Sequence, residues 1–316
     1  PMQGELIFKN YHLPLLKEQK LFAKDGVARF NGDIQKLVLS LDTDLKGEQI
    51  PEGKYNVLMD TDLKNQLNIQ DFNGQLMGGS VALKGFVNWH EHVSWDIKGR
   101  LDRLNPKDKT VPKIAQDFLP PNLDANLSSS GSMEKGLALN AQLAFDQYET
   151  WAVKLNQAVS KDHKPQPMLL NVAWKDIDRA VPYIGWLSSD EGHTDIELKQ
   201  GQQNIYVSTT IKPHEKALLP TGQYDARLDL KANFLNVENF RYQALKGSLS
   251  GQAKVKLPTE KQQLTWQAQL KAENFNPQTV VAAAPVNLLN GDIKATGFAK
   301  PNQQIIQLER INLKGQ

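Results

Sequence analysis

His90-Glu91-His92 puts two imidazoles at i and i+2, on one side of an extended chain, the spacing of a two-histidine metal pair. No third ligand is apparent, and the tract lies between Trp89 and Val93 where a hairpin turn is expected, so it is read as a solvated turn. Asp42-Thr43-Asp44-Leu45-Lys46 and Asp60-Thr61-Asp62-Leu63-Lys64 repeat one five-residue tract. Four carboxylates suit calcium, but the glycine and distal glutamate of a calcium loop are missing. Both tracts are therefore read as a wet outer face paired with lysines. Ser128-Ser129-Ser130-Gly131 offers hydroxyl nucleophiles without the glycine pattern of a nucleophile elbow, and reads as a loop or strand end. There is no phosphate-binding glycine loop and no paired carboxylate set in a helical frame. The expectation is a protein without catalytic residues, metal or cofactor.

Composition narrows the classes further. The 316 residues carry 37 basic and 35 acidic side chains, interspersed, for a net charge of +2. Without a basic stripe, no nucleic acid partner is expected. Cysteine is absent, which excludes disulfides, thiolate metal sites and a cysteine nucleophile while leaving the compartment open. An apolar share of 40% is lean for a closed globule and suits a thin structure with much surface. No apolar run approaches the ~20 residues of a membrane span, and no signal peptide opens the chain. Beginning at Pro1-Met2 and stopping at Gly315-Gln316, inside a repeat, it reads as a segment of a longer protein.

The elements that would position any site are strands. Period-two alternation puts Leu37, Leu39 and Leu41 on one face and Asp42, Asp44 and Lys46 on the other. Later runs do the same with Val57 and Met59, with Val81, Leu83 and Val87, and with Trp95, Ile97 and Leu101. Leu137, Leu139, Leu143 and Phe145 follow, then Trp151, Val153 and Leu155. Trp174, Ile205, Val207, Leu228, Leu230, Val255, Trp266, Ala268 and Leu270 complete the apolar face. One apolar and one polar face per run is the signature of an antiparallel sheet wetted on one side.

The runs repeat. Trp95 to Pro106 recurs as Trp266 to Pro277, with Asn-Pro ten and eleven residues after each tryptophan. Phe72 to Gly79 likewise matches Phe240 to Gly247. Imperfect repeats thus span 67–131 and 237–297, with a weaker related unit at 170–201. Three short tracts, 111–120, 177–187 and 279–288, have helical texture and are expected to be helices of at most about three turns that dock on the sheet. Residues 1–316 are read as a single elongated segment. With roughly twenty strands at ~4.8 Å, its length would be ~100 Å.

Two tracts carry a family likeness: D-F-x-G-x-L-M-G-G-x-V-x-L-x-G from Asp71 to Gly85, and W-x-I-x-G-x-L-D-x-L-N-P from Trp95 to Pro106. Together with the second copy at 237–297, they resemble the TamB family of the AsmA-like superfamily, long periplasmic proteins of Gram-negative bacteria. The likeness covers most of the chain and is weakest at 1–35 and 146–225. It implies an all-β fold, a β-taco: an elongated, strongly curved, antiparallel-rich sheet with a concave apolar groove and a few short helices. It also implies an inner-membrane anchor and a TamA-like outer-membrane barrel partner, both engaged through regions outside this segment. Phospholipid is the implied cargo, in the service of outer-membrane biogenesis.

From the residues alone, the apolar faces would fill the core of a sandwich. The family likeness instead makes them a lipid-contacting wall. Physical chemistry supports such a wall, because exposing an acyl chain of ~14 methylenes to water costs ~11 kcal/mol at ~0.8 kcal/mol each. A different class of function, a scaffold or chaperone, would offer sheet edges to unfolded outer-membrane strands by β-augmentation. A β-solenoid adhesin or stalk would need short strict periods, which the long, loose repeat lacks.

Overall fold

The computed structural model describes residues 2–13, 21–47, 50–111, 113–145, 148–162, 164–181, 185–216, 219–244, 247–258, 263–279, 287–300 and 303–315. Among these, nineteen strands stand against a single six-residue α-helix, so the protein is all-β. Within each of its two compact units the strands run antiparallel to their neighbours. The chain divides into two compact units, Pro1–Gln166 and Pro167–Gln316.

The first unit opens with β1 (Met2–Leu13), β2 (Leu21–Gly32), β3 (Leu37–Gly47), β4 (Gly53–Thr61) and β5 (Gln66–Leu76). It continues with β6 (Gly79–Asn88), β7 (Ser94–Leu104), α1 (Lys113–Phe118), β8 (Leu123–Ser132), β9 (Gly136–Phe145) and β10 (Glu149–Val159). Each strand pairs with the next along the chain, an antiparallel meander. The second unit takes in β11 (Pro165–Val181) from Pro167 on, β12 (Gly185–Lys199), β13 (Gln202–Ile211), β14 (Gly222–Lys231) and β15 (Phe234–Ala244). β16 (Gly247–Lys256), β17 (Leu264–Phe275), β18 (Leu289–Lys300) and β19 (Gln303–Gly315) complete it, in the same meander order.

The two units are built to one plan. β4 and β14 each begin at a Pro-x-Gly-x-Tyr tract, Pro51 to Tyr55 and Pro220 to Tyr224. Tyr55 Oη donates to the Pro51 carbonyl at 2.6 Å, and Tyr224 Oη to the Pro220 carbonyl at 2.7 Å. Each ring then packs on a phenylalanine of the following strand, Phe72 or Phe240, with centroids 5.9 and 6.5 Å apart. The β5–β6 register slips between Ile69 and Phe72, and the β15–β16 register between Val237 and Phe240. The next pair of slips, Leu101/Leu104 and Ala272/Phe275, also corresponds. Both of these later bulges hold a residue at positive φ, Arg103 (49°) and Asn274 (48°). Its N–H is taken up by a side chain of the next strand, Asp124 Oδ1 at 2.7 Å or Asn290 Oδ1 at 2.8 Å. A bulge frees one backbone donor, and the short polar side chain satisfies it.

The correspondence reaches the first strands. Asn10 in β1 and Asp176 in β11 both take positive φ, at 50° and 55°. Thr43 Oγ1 donates to the Asp25 carbonyl, as Thr209 Oγ1 does to that of Glu191. β1–β9 thus correspond to β11–β19, far beyond the 67–131 and 237–297 tracts.

Expected helices fare unevenly. The 111–120 tract contains α1. Residues 177–181 and 185–187, expected as helix, are instead the end of β11 and the start of β12. Ile177 and Val181 are four apart, a spacing that satisfies both a helical stripe and every second residue of a strand. The positive φ of Asp176 shifts the strand's phase just before Ile177, which hid the alternation. Of the 279–288 tract, Thr279 ends a 3-10 turn begun at Pro277, and residues 280–286 lie outside the described residues.

Candidate functional site

Within each unit, cross-strand register decides which side chains share a face. In the first unit one row runs Leu39–Met59–Ile69–Gly85–Ile97–Ser129–Leu139–Leu155. A parallel row runs Leu41–Val57–Phe72–Leu83–Gly99–Leu127–Ala141–Val153, and a third Leu37–Thr61–Leu67–Val87–Trp95–Gly131–Leu137. In the second unit the matching rows are Ile205–Leu228–Val237–Ala253–Ala268–Ala295, Val207–Ala226–Phe240–Gly251–Leu270–Ile293 and Leu230–Leu235–Val255–Trp266–Gly297. Every apolar residue singled out in the sequence therefore falls on one face of its own unit. The other face reads Asp42–Asn56–Asn73–Ala82–Arg100–Asn126–Gln142, largely polar.

The apolar face of the first unit is not uniform. Tyr55, Leu76, Leu104, Leu123, Ala125 and Phe145 are buried as one cluster. Leu101, Leu143, Trp151 and Val81 pack against it, as does Leu119 just beyond α1. Phe145 is only 1% exposed. These positions form a sealed core along one end of the strands. Leu37, Leu39, Leu41, Val57, Met59, Leu83, Val87, Trp95, Ile97, Leu137, Leu139, Val153 and Leu155 stay half-buried. In the second unit Ile177, Ile211 and Tyr242 are buried, while Trp174, Ile205, Val207, Leu228, Leu230, Val255, Trp266, Ala268 and Leu270 are half-buried. Each unit thus keeps an apolar strip that its own side chains cover only in part, a surface that usually meets a ligand or partner.

The tryptophans divide in the same way. Trp151 donates to Glu149 Oε1 at 2.6 Å and belongs to the sealed core. Trp95, Trp174 and Trp266 each sit opposite a glycine, Gly131, Gly192 and Gly297. A Cβ on those glycines would lie 2.6, 2.3 and 2.6 Å from the indole, so each ring lies over its glycine at contact distance. Trp95 Nε1 donates to Ser129 Oγ at 3.0 Å and Trp174 Nε1 to Ser189 Oγ at 3.1 Å.

The polar tracts have structural tasks. Asp62 accepts the backbone N–H groups of Lys64, Asn65 and Gln66 in the β4–β5 turn. Those hydrogen bonds, Asn65 first and Gln66 second, lower its pKa to about 2. The amides of Asn68 and Gln70 hold the Asp60 carboxyl below the usual range. Amides rather than lysines therefore partner this tract, contrary to expectation. His90 to His92 lie in the β6–β7 turn, and His92 Nε2 lies 2.8 Å from Glu134 Oε1. No group of three or more metal-ligating side chains occurs among the described residues. Ser128 to Ser130 lie within β8, where Ser129 serves Trp95.

Sequence reasoning missed Phe72, Ile69 and Leu127 on the half-buried face, and the Tyr55 and Tyr224 anchors. The bulge at Gln70–Asp71 hid the first two by breaking the alternation. The repeated Pro-x-Gly-x-Tyr tract was a readable signal for the tyrosines.

No helix among the described residues is long and apolar enough to cross a membrane. No solved structure matches the chain. The family model described as TamB, N-terminal domain, matches residues 1–144 and again 113–316, which together span the whole chain. By that match, the chain belongs to the TamB N-terminal domain family, and so among proteins of the cell envelope.

Proposed function

We propose that the half-buried apolar strips shield phospholipid acyl chains as lipid passes between the inner and outer membranes through the periplasm. The strips would form the concave side of a β-taco, and the longer protein would reach a TamA-like outer-membrane barrel through residues outside this segment. The action is passive, with no catalysis and no cofactor. One observation carries the reading: register aligns apolar side chains into rows across successive strands, and each unit leaves those rows half open. A continuous row lets a methylene chain exchange one apolar neighbour for the next, so the ~0.8 kcal/mol per methylene is never surrendered to water along the way. The opposite face, with its amides and charges, offers nothing comparable.

The test replaces Leu139 or Leu230 by arginine. Both residues are half-buried on the open strip, so circular dichroism is expected to stay that of the parent. Phospholipid co-purifying with the parent in native mass spectrometry should be lost from both variants. Undiminished lipid in both, with the fold intact, would refute the proposal.

A further inference from the structure

Five aromatic side chains of the apolar face lie over a glycine directly opposite on the neighbouring strand. They are Phe8 over Gly26, Phe30 over Gly4, Trp95 over Gly131, Trp174 over Gly192 and Trp266 over Gly297. In every pair an added Cβ would come within 2.2–2.6 Å of the ring. Real Cβ atoms do not approach so closely, so any larger residue at the glycine forces the ring away from the sheet. An aromatic covering a strand glycine compensates for the missing side chain, which explains one such pair. Two of the tryptophans carry a further constraint. Ser129 and Ser189 accept the indole N–H of Trp95 and Trp174, so the ring is held down at its edge as well as by contact. With its N–H satisfied inside the sheet, each indole presents hydrocarbon and no donor to the strip.

We infer that the Trp95–Gly131, Trp174–Gly192 and Trp266–Gly297 pairs set the clearance of the lipid strip: the glycine lets the largest side chain on the face lie low, so a linear acyl chain can pass over it. The inference rests on the lipid reading above and deepens it, because it assigns the indoles a role in shaping the passage rather than in gripping cargo. A ring standing upright would obstruct the row, whereas a ring lying on a glycine continues the floor.

Gly192 is the cleanest place to test this. An added Cβ there meets only side-chain atoms, of Trp174 and Thr209, whereas at Gly131 and Gly297 it also meets backbone oxygens. The full chain, carrying a photoreactive residue at Val207, is mixed with phosphatidylethanolamine vesicles and irradiated, and lipid adducts are counted. Gly192→Ala should lower capture by about tenfold, the loss of roughly two methylenes' contact. In Gly192→Ala combined with Trp174→Ala the added Cβ has no ring to lift, so capture should rise again above that of Gly192→Ala alone. Near-ultraviolet circular dichroism reports whether Gly192→Ala keeps its tertiary packing. Parental capture by Gly192→Ala, or a double variant that captures no more than Gly192→Ala alone, overturns the clearance role. Absence of capture by the parent itself removes the lipid reading, and the inference with it.

Discussion

Tyr55 and Tyr224 each tie the start of a strand to a proline carbonyl four residues earlier. Burial pushes both phenols up from their ordinary range, with Asp108 adding to the effect at Tyr55 and Tyr242 at Tyr224. A raised phenol pKa means stability that is complete below the unfolded value near ~10 and lost as pH climbs beyond it. Tyr224→Phe should therefore cost about 1 kcal/mol at neutral pH, the net worth of one hydrogen bond, and shift the alkaline unfolding transition upward. Thermal and alkaline melts of parent and variant check both. Asp62 supplies the opposite sign. Its folded pKa of about 2 lies below that of a free aspartate. The stability it gives the β4–β5 turn is complete above pH ~4 and lost as pH falls through the folded value. Protection of the Asn65 and Gln66 amides against exchange, relative to the free-chain rate at each pH, should fall over that range in the parent and be absent throughout in Asp62→Ala. The identical Asp42 and Asp60 tracts show what residue types alone withhold. In one tract the central carboxylate, Asp62, caps a turn, whereas its counterpart Asp44 lies within β3, and position in the meander makes the difference.

Strands were legible wherever alternation ran unbroken, as from Leu37 to Leu45 and from Trp95 to Leu101. Alternation failed at bulges, because one extra residue reverses which face every later side chain takes. Phe72 was missed for that reason, whereas at 177–181 the positive φ of Asp176 changes the phase and leaves a four-residue spacing that a helix shares. What no pattern could reveal is the division of the apolar face, since Leu104 and Leu139 are the same residue type on the same face. Leu104 is 5% exposed within the sealed core, whereas Leu139 is half-buried. Leu104→Ala should then cost about 3 kcal/mol, and Leu139→Ala less than about 1.5 kcal/mol. Denaturant titration of the two variants separates them. Similar losses would mean that the strip is packed like a core.

At the scale of the whole chain, the sequence displayed about two fifths of a duplication whose extent only hydrogen bonds and registers expose. The best-matched tracts, 67–131 and 237–297, are those where bulges, tryptophan and glycine coincide in both copies. Elsewhere the copies keep geometry while exchanging residues, Phe8 for Trp174 and Ala23 for Ser189, so likeness fades from the letters but persists in the pairing. Family membership followed from the same tracts. The proposed lipid-shielding role was not legible from residues alone, because an apolar strand face serves a sandwich core equally well. Photocrosslinking tests that role most directly. Photoreactive residues placed in cells at Leu139 and Leu228 on the strip, and at Lys98 and Asn140 on the opposite face, are predicted to yield phospholipid adducts from the first pair only. Equal labelling from both faces, or no phospholipid from Leu139 and Leu228, would contradict the account.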